Sequence, residues 1–253
     1  MRNVFPFILT TGLLFLPIST SARTYNTNFP LTENPISEGG MWINGGTVGL
    51  DWNNVQTTPG FVGGVGPSSV KYSDPTAILA GSWGPTQTVT ATVYSVGASN
   101  SYYQEVELRL RTSISAHSVT GYEILFRTPN NSSAYVQIVR WNGALASFTY
   151  LGGRCSYPAV CGGVSGIGVA NGDVVKATIV GSTINAYIND VLIATATDTT
   201  FATGSPGVGF NYGCGSTYSA FGFTSFTATD GSRTSRSQRR RLPRRPTSSY
   251  PLR

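Results

Sequence analysis

The chain has 253 residues and a formal net charge of +6, but eight of its seventeen basic residues are arginines within residues 231–253. Residues 23–230 carry eight basic and eleven acidic side chains, a net charge of −3, which removes the electrostatic ground for nucleic-acid binding by the folded part. One histidine and three cysteines without a CxxC spacing argue strongly against a structural zinc centre.

Residues 1–22 read as a secretory signal peptide, with Arg2 as the positive end, Val4 to Leu16 as the apolar stretch and Thr20-Ser21-Ala22 as the cleavage site. The apolar run is too short for a membrane span and is broken by Pro6 and Pro17. Export to the extracellular space or cell envelope is expected. Residues 23–230 then form one domain, rich in Gly, Thr, Ser, Val and Tyr and poor in helix formers.

Strands are expected at Thr47–Trp52, Thr88–Val96, Tyr103–Thr112, Gly121–Arg127 and Ala134–Trp141, with a short partner at Phe148–Leu151. The turn Pro129-Asn130-Asn131-Ser132 separates two of these, and Asn130 and Asn131 each begin a glycosylation sequon. Cys155 and Cys161 can close a small disulfide loop, leaving Cys214 free; pairing of either with Cys214 is the alternative. Val174–Val180, Thr183–Ile188 and Val191–Ala196 make a three-stranded meander. Its second turn, Asn189-Asp190, uses two residues that tolerate positive φ. A strand begins at Ser205-Pro206-Gly207, and Phe221–Thr229 closes the domain. Residues 231–253 read as a basic, disordered tail. A segment that touches anionic surfaces, a solvated end without a role and an out-of-frame end all fit it. Many short strands without a helix predict an all-β sandwich of two antiparallel sheets.

The run GDVVKATIVGSTINAYINDVLIATATDTTFATGSPGVGF, with VELRLR and GYEILFR before it, resembles the terminal strands of concanavalin A-like lectin/glucanase jelly rolls. It is especially similar to laminin-G-like and 3-keto-disaccharide hydrolase-type domains. The resemblance covers residues 100–229 well and implies a jelly roll; the fold hosts lectins, hydrolases, lyases and adhesion modules alike.

The stretch Glu105-Val106-Glu107-Leu108-Arg109-Leu110-Arg111 alternates charge with apolar side chains. With Val106, Leu108 and Leu110 inward, Glu105, Glu107, Arg109 and Arg111 share the other face. The same parity turns Tyr122, Ile124, Phe126, Val136 and Ile138 inward. It adds Glu123, Arg127, Tyr135, Gln137 and Trp141 to the charged face. Jelly rolls that the chain resembles bind saccharides on such a face, which makes Glu107, Arg109, Glu123, Arg127, Gln137 and Trp141 the candidate ligand-binding residues. The row also reads as cross-strand ion pairs on a solvated sheet, worth about 0.2–1 kcal/mol each and needing no ligand.

Catalysis by Glu105, Glu107 or Glu123 is the runner-up. Retaining glucanases of the resembling fold hold two carboxyls about 5–5.5 Å apart. Here Arg109 stands where their third acid would be, and the neighbouring arginines are expected to lower the acids' pKa values, the opposite of what a general acid needs. A polysaccharide lyase is disfavoured because Gln137-Ile138 is followed by Val139 and not by histidine. The only histidine, His117, is expected on a surface loop. No cofactor is expected; a structural calcium ion near Asp51, Asp173 or Asp198 is the one candidate, without a clustered acidic loop behind it. The expectation is therefore an exported module whose partner is a polysaccharide or glycan, with a laminin-G-like adhesion role as a third reading. Nucleic acid is not expected as a partner, nor a membrane span.

Overall fold

The computed structural model describes residues 22–64, 74–98, 104–151, 163–212 and 218–231. The expected signal segment up to residue 21, the three cysteines and the arginine-rich tail from residue 232 lie outside them. In chain order the strands are β1 (Thr24–Thr27), β2 (Trp42–Asn44), β3 (Val55–Thr58), β4 (Phe61–Gly64), β5 (Thr76–Leu79) and β6 (Gln87–Tyr94). They continue with β7 (Gln104–Ser115), β8 (Ser118–Arg127), β9 (Tyr135–Gly143), β10 (Phe148–Tyr150) and β11 (Gly163–Ser165). The last are β12 (Val174–Val180), β13 (Thr183–Ile188), β14 (Val191–Thr197), β15 (Ser205–Tyr212) and β16 (Gly222–Asp230). Among the described residues the only helical turns are 3-10 turns at Gly45–Val48 and Tyr218–Ala220.

Two antiparallel sheets result. The first runs β14-β13-β12-β6-β16-β4-β3, with β1 also on β16; the second runs β10-β9-β8-β7-β15-β5-β2, with β11 also on β9. Their facing sides form the main core. Val89, Ala91, Val93, Val175, Ala177 and Ile179 come from the first sheet, and Val106, Leu108, Leu110, Ile124, Phe126 and Ile138 from the second. In the first sheet, burial alternates residue by residue along β6, as a half-solvated strand requires. Residues Ala22–Gly231 form one compact unit.

The meander is as expected. β12, β13 and β14 are sequential neighbours, and Asn189 and Asp190 turn between β13 and β14 with φ of 49° and 64°. That pair of left-handed residues matches the twist of the flanking strands. The strand expected at Thr47–Trp52 does not form. Gly45–Val48 is a 3-10 turn, Gly49 is left-handed at φ 82°, and the amide of Leu50 donates to the carbonyl of Gly45. Three glycines within five positions let the chain bond to itself instead of to a neighbouring strand. This detour has a consequence for the site, because it carries Leu50 and Trp52 over the second sheet.

Candidate functional site

The charged row sits on β7, where the alternation of Glu105 to Leu110 makes one face apolar. Val106, Leu108 and Leu110 enter the main core together with Tyr122, Ile124, Phe126, Val136 and Ile138, as the parity predicts. Register then brings the opposite faces together. Arg109 stands across from Glu123, Glu105 from Arg127, and Leu125 lies between Glu107 and Gln137.

Arg109 is the hub. Its Nη2 donates to Glu107 Oε2 at 2.5 Å and to Thr76 Oγ1 at 3.0 Å, while its Nη1 pairs with Glu123. Glu123 Oε2 also accepts from the indole of Trp141 at 2.6 Å. Gly209 on β15 makes this possible: a Cβ there would lie 2.3 Å from Glu107 Oε2 and 2.6 Å from Arg109 Nη2. At the other end of the row, Glu105 accepts from Tyr135 and from Asn211, and Arg127 donates to the carbonyl of Ser133 with its guanidinium 5.5 Å from the Tyr135 ring.

The row is buried. Glu107 and Arg109 have 0% of their surface exposed, and Glu105, Glu123, Arg127, Gln137 and Trp141 are buried as well. The expectation of a solvated ligand face is corrected here. A second apolar cluster of Leu50, Trp52, Val119, Leu125, Val139 and Trp141 covers this side of the sheet. Trp52 packs on Trp141 with ring centroids 4.7 Å apart, and Phe148 lies on Trp141 at 5.3 Å. Trp141 is thus a covered ring and offers no open stacking platform.

Burial also overturns the expected pKa direction. Desolvation pushes Glu107 well above the usual carboxylate range, Glu123 and Asp74 push the same way, and Arg109 opposes without prevailing. Glu105 is raised by burial against the hydrogen bonds of Tyr135 and Asn211. Asp74, at the head of β5, is raised well above its ordinary value by burial and then by Glu123. Glu107 Oε1 is buried without a hydrogen-bond partner among the described residues, the state a protonated carboxyl tolerates best.

Arg111 leaves the row. A bulge between Leu110 and Ser113 and a φ of 45° at Arg111 turn its side chain away. There it donates to the carbonyls of Pro85, Gly181 and Phe201. Gly121 and Gly204 permit the bulge, since a Cβ on either would come within 2.6 Å and 2.2 Å of the backbone at Thr112 and Arg111 respectively.

The residues that sequence reasoning missed are Asp74, Thr76, Trp52 and Asn211. They reach the row through the β5–β15–β7 pairing and the 45–52 detour, neither of which leaves a local pattern. His117 lies in the β7–β8 turn as expected, exposed, with Nδ1 2.7 Å from Asp51 Oδ1. Among the described residues no group of three or more His, Cys, Asp or Glu side chains gathers to hold a metal ion. Of the candidate calcium ligands, Asp51 is engaged by His117, Asp173 by Ala170 and Asn189, and Asp198 by Tyr122 and Arg140.

No family model matches the chain, and no curated protein matches it in sequence. Solved structures do match it. The carbohydrate recognition domain of Emp46p, in a potassium-bound form, is 13% identical with a TM-score of 0.53, covering 81% of this chain and 95% of that one. The carbohydrate recognition domain of Emp47p is 11% identical with a TM-score of 0.51, covering 81% and 96%. The carbohydrate-binding module CBM66 from Bacillus subtilis is 14% identical with a TM-score of 0.48, covering 78% and 97%. At such identities the likeness to the two recognition domains is one of architecture, and it makes this chain an all-β, concanavalin A-like jelly roll of two antiparallel sheets.

Proposed function

We propose that this domain is an exported saccharide-binding module that does not cleave its ligand. Its fold is shared with the carbohydrate recognition domains of Emp46p and Emp47p. The observation that carries the non-catalytic half is the closed ion-pair layer. Glu107 and Glu123 share one buried Arg109, and Glu105 is held by Tyr135 and Asn211, so the row presents no carboxylate to solvent. In this reading Glu107, Arg109, Glu123, Arg127, Gln137 and Trp141 form the rigid layer of the ligand-bearing sheet. The net charge of residues 23–230 argues for a neutral or weakly charged polymer and against nucleic acid. Among the described residues no helix is long and apolar enough to cross a membrane.

One observation favours the second reading, a glycoside hydrolase on the same scaffold. Raised pKa values at Glu105 and Glu107 are what a general acid needs. The full chain incubated with a panel of polysaccharides separates the two. Depletion of the protein by a polymer without new reducing ends is expected. Product release that disappears in Glu107→Gln or Glu123→Gln would make the row catalytic.

A further inference from the structure

The outer face of the second sheet is covered over β8 and β9 by the Leu50–Trp52 detour, but it opens toward β5. There a cleft of about 430 Å³ is lined by Ile78, Trp83, Ile114, Ser82, Ser113 and Thr203. The volume lies within the range of small-molecule sites.

Local structure builds the cleft. Ala77 and Leu79 face the main core, so Ile78 between them takes the outer side of β5. The bulge in β7 resets the parity beyond Arg111 and delivers Ser113 to solvent and Ile114 to the outer apolar cluster. Gly204 comes so close to Arg111 that only a hydrogen side chain fits, which fixes the Thr203–Ser205 wall against β7. Trp83 is held by its indole donating to the Ala80 carbonyl at 3.3 Å and by the Arg23 guanidinium 4.3 Å from its ring. Arg23 in turn donates to the Ser82 carbonyl at 3.2 Å.

The lining has a distinct chemistry. It contains no formally charged residue. Ser82, Ser113 and Thr203 are exposed, and their hydroxyls make no hydrogen bond among the described residues. Each can donate and accept at once, which suits vicinal hydroxyl groups. Half-buried Ile114 and the small exposed parts of Ile78 and Trp83, 4% and 7% of their surfaces, give the cleft its apolar side. A carboxylate or sulfate entering here would lose water without finding a cation in the lining itself.

The geometry points to this cleft as the contact site for a neutral sugar, one or two hexose-sized units of a larger glycan. The inference rests on the saccharide-binding reading and assigns it a place distinct from the buried charged row.

The test titrates the full chain with methyl glucoside, methyl galactoside and methyl mannoside, with their disaccharides, and with a uronic acid as the charged counterpart. Saturation-transfer NMR reads the binding. At least one neutral glycoside is expected to bind and the uronic acid is not. Ser113→Phe fills the mouth and should weaken binding at least about tenfold. Thr203→Ala removes one hydroxyl and should weaken it about three- to tenfold. Leu192→Ser, on the exposed edge of the first sheet, should change nothing, and melting curves should show all three variants folded. Binding of neutral glycosides unaffected by both Ser113→Phe and Thr203→Ala would overturn the cleft while leaving saccharide binding in place. Binding of the uronic acid alone would overturn the neutral-ligand assignment. No binding of any saccharide, polymer included, by the unaltered chain would overturn both.

Discussion

Replacing Arg109 by methionine keeps most of the side-chain volume and removes the cation that two buried glutamates share. Arg109 is fully buried, donates to Glu107 and Thr76 and pairs with Glu123. Removing one partner of such a pair costs about 3–5 kcal/mol, because the remaining charge stays buried without compensation. That is a large share of the roughly 5–15 kcal/mol that holds an ordinary domain together. The sign of its pH dependence follows from Glu107, whose carboxyl is already raised by burial in the presence of Arg109. A carboxyl with a native pKa above its unfolded value binds more protons when folded, so stability is intact below the unfolded pKa of about 4.3 and falls as pH rises through the native value. Without Arg109 the native value moves further up, and the deficit of Arg109→Met should widen from about pH 4.5 to about pH 8. Urea unfolding of the full chain at both pH values, read as a shift of midpoint at constant slope, measures it. The triple variant Arg109→Met, Glu107→Gln, Glu123→Gln should recover most of the loss at the higher pH. A single variant that loses less than about 1 kcal/mol at about pH 8, or loses as much at about pH 4.5, would refute the account of the row as a charge-compensated layer.

Asp74→Asn should stabilise the protein at about pH 8 and leave it unchanged at about pH 4, because the wild-type carboxyl is raised by burial and must release or retain a proton at a cost as pH rises; paired urea titrations check this. Trp52→Ala should cost about 3–5 kcal/mol and shift tryptophan emission to the red as Trp141 meets water. Gly204→Ala should cost at least about 2 kcal/mol, read from thermal melting, since the residue has φ 136° and its new Cβ would meet the Arg111 carbonyl carbon at 2.2 Å.

Much of the architecture is legible where the pattern is local. The alternation in VELRLR and YEILF assigns the inward residues without error, and Asn189-Asp190 marks its hairpin because only certain side chains accept two consecutive left-handed positions. The short strands β1 to β5, each of three or four residues, leave too little periodicity to detect. Solvation of the charged face is not legible either. Glu107 and Arg109 look like a wet surface because charge usually marks one, yet their cover is supplied by Leu50 and Trp52 from more than fifty residues earlier. Arg111 departs from the row through a bulge that depends on the approach of Gly121 across the β7–β8 hairpin and of Gly204, a contact distant in sequence. The candidate cleft was out of reach for the same reason, since it combines β5, β7 and the start of β15.

Strand β7 is buried on both faces from Gln104 through Thr112. An ordinary sandwich strand tolerates change at every second position, so its record of accepted substitutions carries a period of two. Here the inward positions are constrained by volume and the outward ones by charge balance. A saturation mutagenesis scan scored for folded yield should therefore find an unbroken block of low tolerance across these nine residues, with Arg109 replaceable only when Glu107 and its β8 partner Glu123 are neutralised in the same step. For such a segment, change is confined to concerted steps, and the row should drift far more slowly than the half-solvated strands of the opposite sheet.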